Sequence, residues 1–217
     1  MTASKPDEMS PDLVSELAYV RALAEEGRDA PLVGGFYYLL WGALMGGAAI
    51  IAFLLASGAL SLGPVNIFSV WIGAGLIGWA ASFLNRRRTG AKPGALTIGN
   101  RTAQAVWFSV GVFMTVLWIA IIFAHDNFTA LGVPPYFLFS MMFPAAFGLY
   151  GVAFYASAVA ARLGWLKGFA LLSWGFAVAC VFLAGSNYQF LAGGVGCIAC
   201  AALPGWLLMR QEPKEIV

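Results

Sequence analysis

The chain has 217 residues, 61% of them hydrophobic and only 10% charged, with a formal net charge of +2. Soluble domains carry about 25% charged residues, so this composition excludes a soluble globular domain and points to an integral membrane protein. Nothing in it suggests a nucleic-acid partner, and none is expected.

The first 30 residues are unlike the rest. They hold seven acids against three bases, a net charge of −4. Ser10, Pro11 and Asp12 read as an N-cap, a first-turn proline and an acid favoured by the helix dipole. A helix is expected from Pro11 to Glu26, with Leu13, Leu17, Val20 and Ala24 on one apolar stripe. Gly27 and Pro31 end it. The polar, acidic start does not resemble a signal peptide, so the first apolar run is expected to act as an uncleaved insertion signal. Residues 1–33 are thus read as a cytoplasmic amphipathic region, 34–210 as a transmembrane domain and 211–217 as a cytoplasmic tail.

A helix needs about 20 apolar residues to cross the hydrocarbon core. Six runs qualify: Phe36–Ser57, Val65–Leu84, Ala105–Ala124, Tyr136–Ala158, Gly168–Leu183 and Phe190–Met209. The expected fold is all-α, with six transmembrane helices forming three hairpins. All twelve Lys and Arg residues then fall on one side. Lys5, Arg21 and Arg28 precede the first run, and Arg86, Arg87, Arg88, Lys92 and Arg101 separate the second from the third. Arg162 and Lys167 separate the fourth from the fifth, and Arg210 and Lys214 follow the sixth. Cytoplasmic loops are enriched in Lys and Arg, which places both termini in the cytoplasm of a bacterial inner (plasma) membrane.

No Asp, Glu, Lys, Arg or His lies in the central part of any run. Intramembrane ionisable residues mark proton relays and ion paths, so a proton-coupled transporter and an acid–base enzyme lose their machinery. No nucleotide motif is present. No enzymatic activity, cofactor or metal is expected. Cys197 and Cys200 form C-x-x-C, with Cys180 at a similar depth. A redox pair or thiolate metal site is one reading, but Gly193, Cys197, Ala201 and Gly205 recur every fourth residue, a small-residue ladder that favours close helix packing. His125 and Asp126 are the only His and the only acid on the outer side. A zinc site needs more ligands, so capping of a helix end is the expected role there. Asn127-Phe128-Thr129 matches a glycosylation sequon.

Gly42 and Gly46 form G-x-x-x-G, which serves packing within the bundle or contacts in a homo-oligomer. Pro144 and Pro204 each remove a backbone hydrogen bond and kink their helices. If a pocket exists, Ser140, Pro144, Tyr150 and Tyr155 on the fourth run are its expected lining. Arg86, Arg87 and Arg88 can attract anionic headgroups of the lipid bilayer or simply fix topology. The acidic helix needs a partner for its stripe of Leu13, Leu17 and Val20, either the basic loop Asn85–Arg101 or another protein. The leading expectation is therefore an accessory or regulatory subunit with a protein partner at the cytoplasmic face. The alternative is a facilitator or binding protein for a neutral small molecule or lipid.

Overall fold

A computed structural model describes residues 15, 16, 18, 19 and 31–212. The stripe residues Leu13, Leu17 and Val20 and the tail 213–217 lie outside the described residues. Ser15, Glu16, Ala18 and Tyr19, within the expected N-terminal helix, are helical and exposed.

Every regular element among the described residues is a helix. Helices α1 (Gly35–Ala56), α2 (Ile67–Gly90), α3 (Ile98–Phe123) and α4 (Tyr136–Ala160) are long and apolar enough to cross a membrane. Helix α5 (Leu166–Phe182) has 17 residues, at the lower limit for a span of about 17–25. Helix α6 (Tyr188–Gln211) again has spanning length. The second and third runs continue as helix well past their apolar stretches, because hydropathy marks the hydrocarbon core and not the end of backbone hydrogen bonding. Helix α2 starts at Ile67 because Asn66 caps it: the Asn66 side chain accepts from Ser69 N–H at 2.9 Å, and Ser69 Oγ accepts from Asn66 N–H at 3.0 Å.

Helix α6 is the centre of the bundle. In its most apolar window 56% is buried, against 6% for α3 at the periphery. The tightest seam joins α1 to α6, antiparallel, along almost their whole length. Small residues make it possible. A Cβ on Gly35 would stand 2.6 Å from Gly205 O, and one on Gly46 2.8 Å from Ile198 Cγ1. A Cβ on Gly42 would collide with the backbone of Ala202, and one on Gly205 with that of Leu39. The G-x-x-x-G pair therefore packs inside this chain. Helix α4 packs closely on α5, where Gly151 leaves room for the Trp174 indole. Helix α2 meets α1 through Trp41, whose ring lies on Gly78 and whose Nε1 donates to Ser82 Oγ at 3.1 Å.

Both prolines leave visible marks. Pro144 has no N–H for the carbonyl of Ser140, and α4 is interrupted between Ser140 and Met142. Gln189 of α6 supplies the missing donor: its Nε2 donates to Ser140 O at 2.7 Å and to Cys180 O at 2.8 Å. One buried amide thus joins α4, α5 and α6 at the end of the bundle opposite Arg86–Arg88. Gln189→Leu is expected to strand two buried carbonyls and lower stability by about 2 kcal/mol; an unchanged thermal transition in detergent would refute this role. Pro204 likewise has no N–H for Cys200 O. The turn before it widens into a π segment, Ile198–Ala202, with Leu203 N–H bonding Ile198 O.

Candidate functional site at the basic end

Hydrogen bonds and charge converge where α1 begins, α2 ends and α6 ends. Glu212 closes α6 in extended backbone, φ −69° and ψ 146°, because Pro213 follows it and disfavours helical geometry. Its side chain turns back onto α1 and is 2% exposed. One carboxylate oxygen accepts from Gly34 N–H at 2.8 Å and Gly35 N–H at 2.6 Å. The other pairs with Lys92 Nζ. Gly34 adopts φ +119°, open to glycine at little cost, and this aims the two N–H groups at one oxygen. A carboxylate at a helix N-terminus is also favoured by the macrodipole.

Asn100, at the start of α3 and 1% exposed, completes the clasp. Its Oδ1 accepts from Val33 N–H at 2.6 Å. Its Nδ2 donates to Pro31 O and Gly94 O, each at 2.9 Å, and to Thr97 Oγ1 at 3.1 Å. The last residues before α1, the α2–α3 loop and the end of α6 are therefore locked together. Leu32 and Val33 are buried with them, so the packed end extends beyond the residues drawn as transmembrane.

Around the clasp lie cations that it does not use. Arg86, Arg87, Arg88 and Arg101 are exposed, and none has an acidic partner among the described residues. Arg86 lies over the Phe83 ring at 5.9 Å. Helices α1 and α2 are antiparallel, with Trp41 on Gly78 and Ser82, so the C-terminal turns of α2 carry Arg86–Arg88 to the level of the α1 N-terminus.

The residues expected to line a pocket do not converge. Ser140 is buried, its Oγ donating to Phe137 O at 2.6 Å. Tyr150 packs among Trp107 and Phe147. Tyr155 instead faces outward, stacked on Trp174 with Lys167 over its ring. Pro144 is half-buried beside the helix interruption. The aromatic core nearest Tyr150 is filled: Tyr38 lies edge-on to Trp107 and stacked on Phe154, and Trp107 Nε1 donates to Ser157 Oγ at 3.3 Å.

Cys180, Cys197 and Cys200 are free and buried, clustered with Ala49, Phe143 and Phe147. Among the described residues no three His, Cys, Asp or Glu side chains are grouped to hold a metal. All three thiols should resist a thiol-reactive dye in the native protein and react once it unfolds; rapid labelling without unfolding would contradict their burial. His125 does not cap α3 through its side chain. It opens a short helix, His125–Ala130, whose N-terminus has no side-chain cap, and its Nδ1 lies 3.1 Å from Asp126 Oδ1.

The composition and helix lengths define an integral membrane protein, and the best-built polar site is the clasp at its basic end. No protein-family model, curated protein or solved structure matches the chain.

From sequence, Lys92 counted only as one cation of the basic loop, and Glu212, Asn100 and Gln189 were not singled out. A signal for Glu212 was present. An acid just past a helix C-terminus is disfavoured by that helix's dipole, which suggests service to another helix's N-terminus.

Proposed function

We propose that the chain is a non-enzymatic accessory or regulatory subunit of a bacterial inner membrane. In this reading six helices cross the bilayer as three hairpins, and the basic end faces the cytoplasm with both termini. Its working surface is the arginine row Arg86–Arg88 with Arg101, held beside the Glu212–Lys92–Asn100 clasp. The observation that carries the reading is this pairing of a rigid, fully bonded platform with exposed arginines that have no acidic partner among the described residues. The interior offers a solute little by comparison. Among the described residues no buried side-chain nitrogen or oxygen lacks a hydrogen-bond partner, and the charged clasp sits at one end.

The neutral-solute reading draws no support from this arrangement, since Tyr150 and Tyr155 face different surroundings. The test is crosslinking in the native membrane followed by purification of the tagged wild type and of an Arg86/Arg87/Arg88→Ala variant. A defined protein recovered in fixed ratio with the wild type and lost with the variant supports the reading. Recovery of both as lone monomers sinks it.

A further inference from the structure

We infer that one anionic phospholipid sits between α2 and α3, its phosphate held by Arg86 and Arg101 and its acyl chains in the apolar cleft beside them. The first observation is how these helices pack. They follow one another in the chain, yet α2 lies on α1 and α3 lies on α4. They meet through Phe68, stacked on Trp118 at 5.3 Å. They meet again at Trp79, whose indole lies 3.9 Å from where a Cβ on Gly111 would stand. Those contacts fix which faces are opposed. At 3.6 residues per turn, Phe68 and Trp79 share a stripe of α2 with Phe83 and Arg86. Gly111 and Trp118 share a stripe of α3 with Arg101, Gln104 and Phe108. From Trp79 and Gly111 towards the basic end the cleft stands open. Phe83 is 73% exposed and Phe108 65% exposed, although each lies on the face its helix turns to the other. Helices at packing distance would bury both.

The second observation is the order of chemistry along this cleft. Its mouth carries one guanidinium from each helix. Both are exposed, and neither has an acidic partner among the described residues. Guanidinium groups match phosphate oxygens in charge and geometry. Arg86 lies over the Phe83 ring at 5.9 Å, a charged head carried along an apolar wall as at a membrane interface. Gln104, also exposed, stands about 4.5 Å deeper along α3 than Arg101, and Phe108 about 6 Å deeper again, at 1.5 Å per residue. The phosphate, ester and acyl chains of a phospholipid come in this order. A zwitterionic headgroup adds an amine that two unpaired guanidiniums repel, so the charge selects an anionic lipid. An acidic protein segment would match the arginines but not Phe83 and Phe108, which lie within the apolar stretches of their helices.

This site does not rest on the subunit reading. Arg87 and Arg88 lie about 100° and 200° further around α2, point away from the cleft and remain available to a protein. The full chain, delipidated in a neutral detergent, provides the test. It is titrated with dioleoylphosphatidylglycerol or dioleoylphosphatidylcholine, and bound lipid is counted by native mass spectrometry. The wild type is compared with Arg86/Arg101→Gln and with Arg87/Arg88→Gln, which loses the same charge from outside the cleft. All three are first shown to have the same thermal transition, and Arg101→Gln alone replaces the cleft pair if that variant's transition moves. The wild type should bind one phosphatidylglycerol about tenfold or more tightly than phosphatidylcholine. The preference should fall to about threefold or less in the cleft variant, survive in the control, and weaken at high salt. No preference in the wild type would overturn the proposal. Equal loss in both variants would do so too, since the attraction is then a diffuse effect of net charge. Displacement by equimolar glycerol phosphate would assign the arginines to a free phosphate, and displacement by an equimolar polyglutamate peptide to an acidic protein surface; either overturns the lipid site. No partner protein is present in this experiment, so its failure is separable from failure of the subunit reading.

Discussion

Glu212→Ala is expected to lower stability by about 3 kcal/mol, which for a chain of this size is a fall of about 6–12 °C in the thermal transition. The argument runs atom by atom. Removing the carboxylate strands Gly34 N–H and Gly35 N–H, each a buried donor whose loss costs about 1–3 kcal/mol. It also leaves Lys92 without its counter-ion, although the 24% exposure of that side chain lets the ammonium find water. Lys92→Ala should cost less, because the remaining carboxylate keeps both N–H donors and the helix dipole. Glu212→Gln should cost least, since an amide oxygen still accepts from both glycines. The ranking is therefore Ala at 212, then Ala at 92, then Gln at 212. The three buried cysteines give a built-in readout through dye labelling on heating. A double-mutant cycle between Lys92 and Glu212 should show coupling above about 0.5 kcal/mol. Additive losses, or an inverted ranking, would mean that the ion pair and the helix N-terminus do not act as one unit.

Little of that clasp could be read from the chain. The bonds that tie its separate segments together join residues 67 to 178 positions apart, and no local pattern specifies such pairings. The same holds for Gln189. That Pro144 would free a carbonyl was legible, because the ring removes a donor at a known position. Which neighbour would supply the replacement depended on how α6 passes α4. The helices themselves were legible, because the apolar runs exceed what any soluble core tolerates; small residues every fourth position marked α1 and α6 for close packing, but that they pack on each other came only with the structure. Boundaries were less so at the polar ends of α2 and α3, where Arg86–Arg88 and Asn100 belong to helices that outlast their hydrophobic stretch. Tyr150 and Tyr155 are five residues apart, hence about 140° apart around a helix of 3.6 residues per turn, and cannot line one cavity from one face. Tyr150 indeed meets Trp107 while Tyr155 meets Trp174.

Gly42→Leu should do more damage than any polar substitution, and the reason lies in what the new side chain would meet. A Cβ at Gly42 falls on the nitrogen and Cα of Ala202, which is backbone and not the movable tip of a side chain. That backbone belongs to the π segment Ile198–Ala202, where Leu203 N–H already reaches back to Ile198 O around Pro204. It cannot retreat without giving up that bond or separating α1 from the centre of the bundle. Repulsion of this kind places the loss above about 4 kcal/mol, in the range that single substitutions reach only when packing fails outright. Helix α1 would have to lift along the whole seam, because Gly35, Gly46 and Gly205 hold it at the same close approach. Cys197 and Cys200, on α6 at this contact, should then label with dye at ambient temperature. Gly47→Leu makes the contrast sharp. It lies on the same helix five residues away, a Cβ there meets nothing within 4 Å, and replacing glycine within a helix is mildly favourable. The second variant should behave as the wild type while the first loses its native thiol protection. Equal tolerance of both would mean that α1 and α6 are not held at backbone contact.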